Sequence, residues 1–241
     1  MSLLRLPFNE QLAEASRFIY EGDFFLVVSH VNPDGDAISS TLAVGEMLAQ
    51  LGKHFIMINE NSIPEKFAFL MGNRQIIDYS LKPELHFERV ITVDCADFLR
   101  IGEVRELFDA GIPLLNIDHH PTNDYFGAVQ LIQPEAAATA EILYTLAMEI
   151  GTSWSPELAS FIYTGLLTDT GGFRYANTTS HVLRIAAEML EYGVFGHEIA
   201  DRLLERLTMP QVLLVQKALV SLSFALNGQV SWLNVSYEDI Q

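Results

Sequence analysis

The chain has 241 residues, 49% hydrophobic and 19% charged, which supplies ample apolar material for a buried core and excludes a disordered tail or a fibrous chain. Its 14 Lys and Arg against 31 Asp and Glu give a formal charge of −17, which repels the backbone of long nucleic acid and the anionic face of a membrane. The net count does not forbid a local anion site, because bound divalent ions reverse the sign of a carboxylate-lined cleft.

Charges interrupt the apolar residues of the N-terminal MSLLRLPFNEQLAEAS, and no stretch approaches the roughly 18 uncharged apolar residues of a membrane span. Neither a signal peptide nor an anchor is expected. Residues 24–30, FFLVVSH, form an apolar β-rich run, followed by the turn-forming NPDGD and by AISSTLAVGEMLAQLG, whose apolar spacing is helical and which ends on Gly52. HFIMINE (54–60), RVITVD (89–94) and PLLNID (113–118) read as further strands, and IGEVRELFDAG (101–111) as a helix between two of them. Strands apolar on both faces and alternating with helices predict an α/β fold, a doubly wound, mostly parallel sheet flanked by helices. Ligands bind such sheets at the carboxyl ends of the strands.

After FGAVQLI (126–132) the pattern is helical over 135–151, 155–172, 179–193 and about 195–207. From Pro210 it changes to a helix-like VLLVQKALVSL and a β-hairpin about Asn227-Gly228. The expected organisation is one domain over 1–192, a helical linker over 193–209 and the start of a truncated C-terminal domain over 210–241. Pieces below ~40 residues rarely stand alone. Cys95 is the single cysteine, so no intrachain disulfide or thiolate zinc cluster is available, and a reducing cytoplasm is the expected location.

The strand ends are rich in metal-ligand types. HVNPDGD supplies His30, Asp34 and Asp36; VDCAD supplies Asp94 and Asp97; NIDHH supplies Asp118, His119 and His120; Asp169 follows in LLTDTGG. Each has an ordinary reading by itself: Asp34 and Asp36 as turn formers with Asp36 capping the next helix, His30 as a structural histidine, Asp94 as a turn residue, Asp169 as a helix end. Four such clusters, three of them at strand ends, point instead to a metal site. Carboxylates with a few imidazoles suit Mn2+, Mg2+ or Co2+, and so many ligands call for two ions.

HVNPDGDAISS, VDCAD, NIDHHPTND and GLLTDTGGFRY, in this order across residues 24–175, resemble the four signature motifs of the DHH phosphoesterase family. NTTSHVLRIAAEML resembles its nanoRNase and 3′-phosphoadenosine-5′-phosphate (pAp) phosphatase branch. The resemblance implies two Mn2+ ions, the first on His30, Asp34 and Asp94, the second on Asp36, Asp94, His119 and Asp169, with Asp94 bridging. Such a pair lowers the pKa of a shared water, aligns it with phosphorus and neutralises phosphoryl charge. Asp118, next to the ligand His119, is expected to orient it. His120 is left to contact the substrate phosphate or protonate the leaving oxygen, or else packs as a structural histidine. Arg174 is the first candidate to pair with a substrate phosphate or base and Arg100 the second, and either also reads as a surface ion-pairing residue. Asn123 joins the substrate-binding set as the residue that fixes the loop of His119 and His120, an ordinary turn being the other reading.

The resemblance implies a Mn2+-dependent phosphohydrolase acting on very short oligoribonucleotides, including pApA-type dinucleotides, or on pAp. A manganese inorganic pyrophosphatase is the alternative enzyme, but it calls for a C-terminal Lys/Arg-rich motif that is not visible. A non-catalytic nucleotide-sensing module is the alternative outside catalysis, although here every ligand position is filled. Relatives of this branch continue into a DHHA1 domain with a glycine-rich motif ending in histidine. No Gly-Gly-Gly-His-like stretch occurs, so the chain is expected to be a piece of a longer protein. A homodimer stays open.

Overall fold

In the computed structural model, which describes residues 6–240, the chain divides into two units, one up to Leu203 and one from Leu204. The first runs α1 (Phe8–Glu21), β1 (Phe25–Val28), α2 (Gly35–Gln50), β2 (Phe55–Asn59), α3 (Ala68–Met71), β3 (Ile76–Asp78), β4 (Arg89–Val93), β5 (Leu114–Asp118), β6 (Val129–Ile132), α4 (Thr139–Glu149), α5 (Pro156–Asp169), α6 (Ser180–Glu191) and α7 (Gly196–Ala200). The six strands form one sheet in the order β3-β2-β1-β4-β5-β6, and every neighbouring pair is parallel. Strand order reverses between β1 and β4, which opens a crevice at their carboxyl ends.

Alternation along β1 feeds both faces of the sheet. Phe25 and Val27 join the core built with α1, α2, α4, α5 and α6, whereas Leu26 and Val28 join a second core with Ile58, Val90, Ile101 and Val104. The second face departs from expectation. Residues 101–111 do not form an α-helix; Phe98–Leu107 is a 3-10 segment broken at Gly102, where φ is +72°. A β-carbon at Gly102 would collide with Val31 and Glu60, so only glycine lets this segment lie against the loop that follows β1.

The helix expected from residue 135 begins at Thr139, because Ala138 is extended. In place of one helix over 195–207 there is the short α7 and a single π turn at Asp201–Glu205. Val194 and Ile199 are buried in the core of the first unit. The second unit holds α8 (Met209–Val220), an antiparallel hairpin of β7 (Ser223–Ala225) and β8 (Val230–Trp232), and α9 (Tyr237–Ile240). A reciprocal Thr208–Gln211 capping box starts α8. Among the described residues no helix is long and apolar enough to cross a membrane.

Candidate metal centre

After β1 the chain passes His30, turns through Asn32 in the left-handed region and enters α2 at Asp34. Asp34 is the N-cap, its Oδ1 accepting from the Ala37 amide at 3.1 Å. Its side chain is 59% exposed, and Oδ2 lies 3.9 Å from Nε2 of the buried His30. Asp36, read from sequence as a cap for α2, sits inside that helix and caps a different one. Its Oδ2 accepts from the Thr139 amide at 2.6 Å and its Oδ1 from the Ala140 amide at 3.1 Å, while Ala138, the N-cap of α4, supplies no side-chain oxygen. The first amides of a helix lack intrahelical partners and attract anions, so a carboxylate from α2 fixes where α4 starts. The fit is tight: a β-carbon at Gly165 on α5 would run into Asp36 Oδ1, Ala140 and Ser39.

Asp94 follows β4 and is buried in a left-handed conformation, φ +55°, which costs about 1 kcal/mol and which Asp tolerates better than most residues. Its Oδ2 lies 3.6 Å from His30 Nε2, and its Oδ1 lies 3.5 Å from His119 Nε2 and 3.8 Å from His120 Nδ1. The Thr139 hydroxyl donates to the same Oδ1 at 2.9 Å. After β5, His119 points Nε2 at Asp169 Oδ2, 3.2 Å away at the end of α5. Three trios each bring ligand atoms within 4.8 Å of one another: His30, Asp34 and Asp94; Asp36, His119 and Asp169; Asp94, His119 and His120. All six residues expected as ligands from the motifs meet here, with Asp94 common to two of the trios.

The electrostatics fit a cation. Burial, then the charges of Asp94 and Asp169, hold the Asp36 carboxyl well above the ordinary range; burial, with Asp94 close by, also raises Asp169. Burial alone would lower His119, but Asp169, Asp36 and Asp94 raise it to about 10. Burial likewise opposes His30, and Asp94 outweighs it. Protons thus stand where the cluster needs positive charge. His119 Nε2 is buried without a well-directed hydrogen bond, although carboxylate oxygens face it. A divalent ion satisfies that nitrogen and those oxygens together. The donors are carboxylate oxygens and imidazole nitrogens, with no thiolate: Cys95 is buried, which pushes its thiol up. This set favours a hard or borderline ion.

One sequence expectation changes. Asp118 does not orient His119, whose Nδ1 instead faces the Ala136 carbonyl at 3.2 Å. It binds His120, Nδ1 to Oδ1 at 2.7 Å. That bond is the main reason the His120 pKa is raised, against burial. Asn123 is buried and fully engaged within the protein, donating to Asp118 Oδ2 at 2.6 Å and to the Cys95 carbonyl at 3.2 Å and accepting from the Tyr125 amide at 2.8 Å. It supports Asp118 and, through its backbone amide to the His120 carbonyl at 3.1 Å, ties down the loop of His119 and His120, as the loop-fixing reading expects. Asp97 caps the 3-10 segment, its Oδ1 accepting from the Leu99 and Arg100 amides. Arg174 is exposed and donates Nε to Gly171 of its own loop at 2.6 Å, outside the trios. Arg100 is half-buried, and its carbonyl accepts from Val31, one residue past His30, at 2.7 Å. Sequence reasoning missed Thr139. It also missed Asn177, which ties the Ala137 carbonyl to that of Asp169 with two bonds of 3.1 Å.

Comparison with known proteins gives a consistent picture. Residues 25–166 match the DHH family, N-terminal domain. The chain is 37% identical over 187 residues to the bifunctional oligoribonuclease and PAP phosphatase NrnA of Thermus thermophilus, covering 76% of this chain and 54% of that protein. It is 29% identical over 195 residues to the protein of the same name in Bacillus subtilis, covering 80% and 60%. The chain spans about half the length of the curated relatives it matches. Among solved structures, an exopolyphosphatase-related protein from Bacteroides fragilis superposes with a TM-score of 0.88 at 25% identity, over 98% of this chain and 72% of that one. A putative family II inorganic pyrophosphatase from Methanococcus jannaschii shares the fold, with a TM-score of 0.56 at 22% identity over 74% of this chain and 61% of that one.

Proposed function

This chain belongs to the DHH family, and on that premise we propose that it is the metal-binding half of a phosphohydrolase that cleaves very short oligoribonucleotides and pAp with two Mn2+ ions. The observation that carries the reading is the meeting of His30, Asp34, Asp36, Asp94, His119 and Asp169 at the crevice between β1 and β4, in a chain similar to proteins named for that pair of activities. A cytoplasmic location belongs to the same reading.

His30, Asp34 and Asp94 would hold one ion, and Asp36, Asp94, His119 and Asp169 the other. When bound, the pair supplies an activated water and neutralises charge on the phosphoryl oxygens. Asp118 occupies His120 Nδ1, leaving Nε2 to carry the proton. Because the Asp118 bond raises its pKa, His120 keeps that proton closer to neutral pH than a free histidine does. As the water oxygen bonds to phosphorus and the ester bond breaks, the leaving oxygen takes the proton from His120 Nε2. Asn123 holds Asp118 in place beneath it.

The test is release of product from pAp, pApA and pyrophosphate in parallel, with and without Mn2+. Metal-dependent turnover of pAp or pApA, with pyrophosphate spared, is expected. Preference for pyrophosphate overturns the substrate assignment, and bound metal without turnover of any of the three makes the chain a sensing module.

A further inference from the structure

The first turn of α4 touches both carboxylates that the two ligand sets depend on. The Thr139 amide and the Ala140 amide take the two oxygens of Asp36, and the Thr139 hydroxyl takes Oδ1 of Asp94, the oxygen that faces His119 and His120. Asp36 comes from α2, Asp94 from the end of β4, and Thr139 lies 103 and 45 residues away from them. Thr139 is completely buried, and among the described residues it is the one that bonds both.

We propose that Thr139 is a positioning residue for the metal pair: its hydroxyl fixes the rotation of the Asp94 carboxylate, so that Oδ2 stays with His30 while Oδ1 stays with His119. The inference rests on the two-metal reading of this site and adds a determinant of it outside the ligand motifs. A carboxylate at a strand end has freedom about its last torsion, which is broad and roughly two-fold. At Asp94 the strained backbone sets where the side chain starts, but not the plane of its oxygens. A donor on a helix that is itself pinned by Asp36 settles that plane. The hydroxyl holds one lone pair of Oδ1 and leaves the other to the ligand cluster, and it adds no charge of its own. Removing such a partner from a metal ligand typically lowers affinity ~10–100-fold.

The experiment compares the parent chain with Thr139→Val, which deletes the hydroxyl but keeps the branched shape and the backbone amide to Asp36, and with Thr139→Ser, which keeps the hydroxyl. Mn2+ alone is the probe. Binding is followed by equilibrium titration, by the electron paramagnetic resonance of the bound ions, and by the rise in melting temperature over a chelator-treated sample. Thr139→Val is expected to weaken at least one Mn2+ by ~10–100-fold, to replace the spectrum of a coupled pair by that of isolated ions, and to melt with a smaller Mn2+-dependent rise. Thr139→Ser is expected to stay close to the parent in all three. Parent-like affinity and spectrum in Thr139→Val overturn the proposal. So does Thr139→Ser losing as much as Thr139→Val, since the methyl group and its packing would then be what matters. If Thr139→Val fails to fold, the serine variant decides by that comparison with the parent. A parent chain that binds two Mn2+ but hydrolyses no nucleotide leaves the Thr139 assignment standing and removes only the hydrolase reading, whereas a parent that binds none removes both.

Discussion

The floor and the rim of the crevice are held in different ways. On the floor, Asp36 and Asp94 are buried, and their oxygens meet partners from several elements: the α4 amides, Ser40 and the Thr139 hydroxyl as donors, with His30 and His119 facing Asp94. At the rim, Asp34 is more than half exposed, and among the described residues Arg174 bonds within its own loop. His120 lies between, half-buried, one nitrogen fixed by Asp118. A buried carboxylate without its partners is costly, so the floor must be completely specified before an ion arrives. The rim pays no such desolvation cost and can leave a side chain free for a ligand that comes and goes. Substitutions on the floor should therefore change metal binding and folding together. Those at the rim outside the trios, such as Arg174, should change only how substrate is used.

The sharpest break is Asp94→Asn. Asparagine tolerates the left-handed backbone at this position and keeps the size of the side chain, but it removes the charge that serves both ligand sets. We expect Mn2+ affinity to fall by more than ~100-fold, the upper end for a lost partner of a metal ligand, and turnover of pAp to become undetectable. The chelated protein should also melt lower than the parent, because, against burial, His30, His119 and His120 hold the Asp94 carboxyl below the ordinary range and the amide gives up those charge-assisted contacts. Calorimetric titration with Mn2+ and melting in chelator check both halves. Turnover near the parent rate would refute the shared role of Asp94.

His120→Ala separates floor from rim. With the six ligands intact, two Mn2+ should remain bound while kcat falls ~10²–10⁴-fold, the range for a lost general acid. His120 also shares a trio with Asp94 and His119, so loss of a metal ion in this variant would move it from proton donor to ligand.

Gly165→Ala probes the floor from behind. In an ordinary helix interior the change stabilises by ~1 kcal/mol. Here the new methyl group meets Asp36 Oδ1, Ala140 and Ser39, and overpacking of this kind costs ~1–3 kcal/mol. The melting temperature should drop by several degrees, at ~2–4 °C per kcal/mol for a chain of this size, and Mn2+ affinity should drop with it. A rise in melting temperature with unchanged affinity would mean that α5 has room to move away from Asp36, and that the floor is looser than its contacts imply.

The same division governs what the sequence discloses. The six candidate ligands are legible because coordination demands particular atoms, and a parallel sheet delivers them at its strand ends, as at His30, Asp94 and His119. Their supports are not. Adjacency suggests that Asp118 serves His119, but β5 ends at Asp118 and the chain beyond it turns His120 back onto that carboxylate. The stretch EAAATAE (135–141) is helix-forming throughout, and nothing local says that α4 starts at Thr139; that is decided by Asp36, 103 residues earlier. Residues 101–111 have a helical composition, but the close approach of Val31 and Glu60 to Gly102 overrides it. Long-range contacts of this sort leave no periodicity to read.

The smallest expected effect belongs to Arg174. Its loop is rigid at the base: Thr170 is buried, its carbonyl accepts from the Arg174 and Tyr175 amides, and its hydroxyl accepts from Phe173. Gly171, Gly172 and Phe173 are all left-handed, a path that turns the chain sharply just past Asp169. The guanidinium is carried outside the trios on an ordered support, as suits a contact to the remote part of a substrate. An exposed charge-assisted contact is worth ~1 kcal/mol, or about a fivefold change in an equilibrium. Arg174→Ala should thus raise KM for pAp ~3–10-fold, with kcat within about twofold of the parent. Arg174→Lys should fall between the two, because lysine keeps the charge and loses the planar fork. Steady-state kinetics at fixed Mn2+ measure all three. A 100-fold fall in kcat at unchanged KM would put Arg174 on the reacting phosphoryl group, with the floor. No change in either constant would make it a surface residue, and the cation that meets the substrate would have to be sought at Arg100, beside the loop of His30.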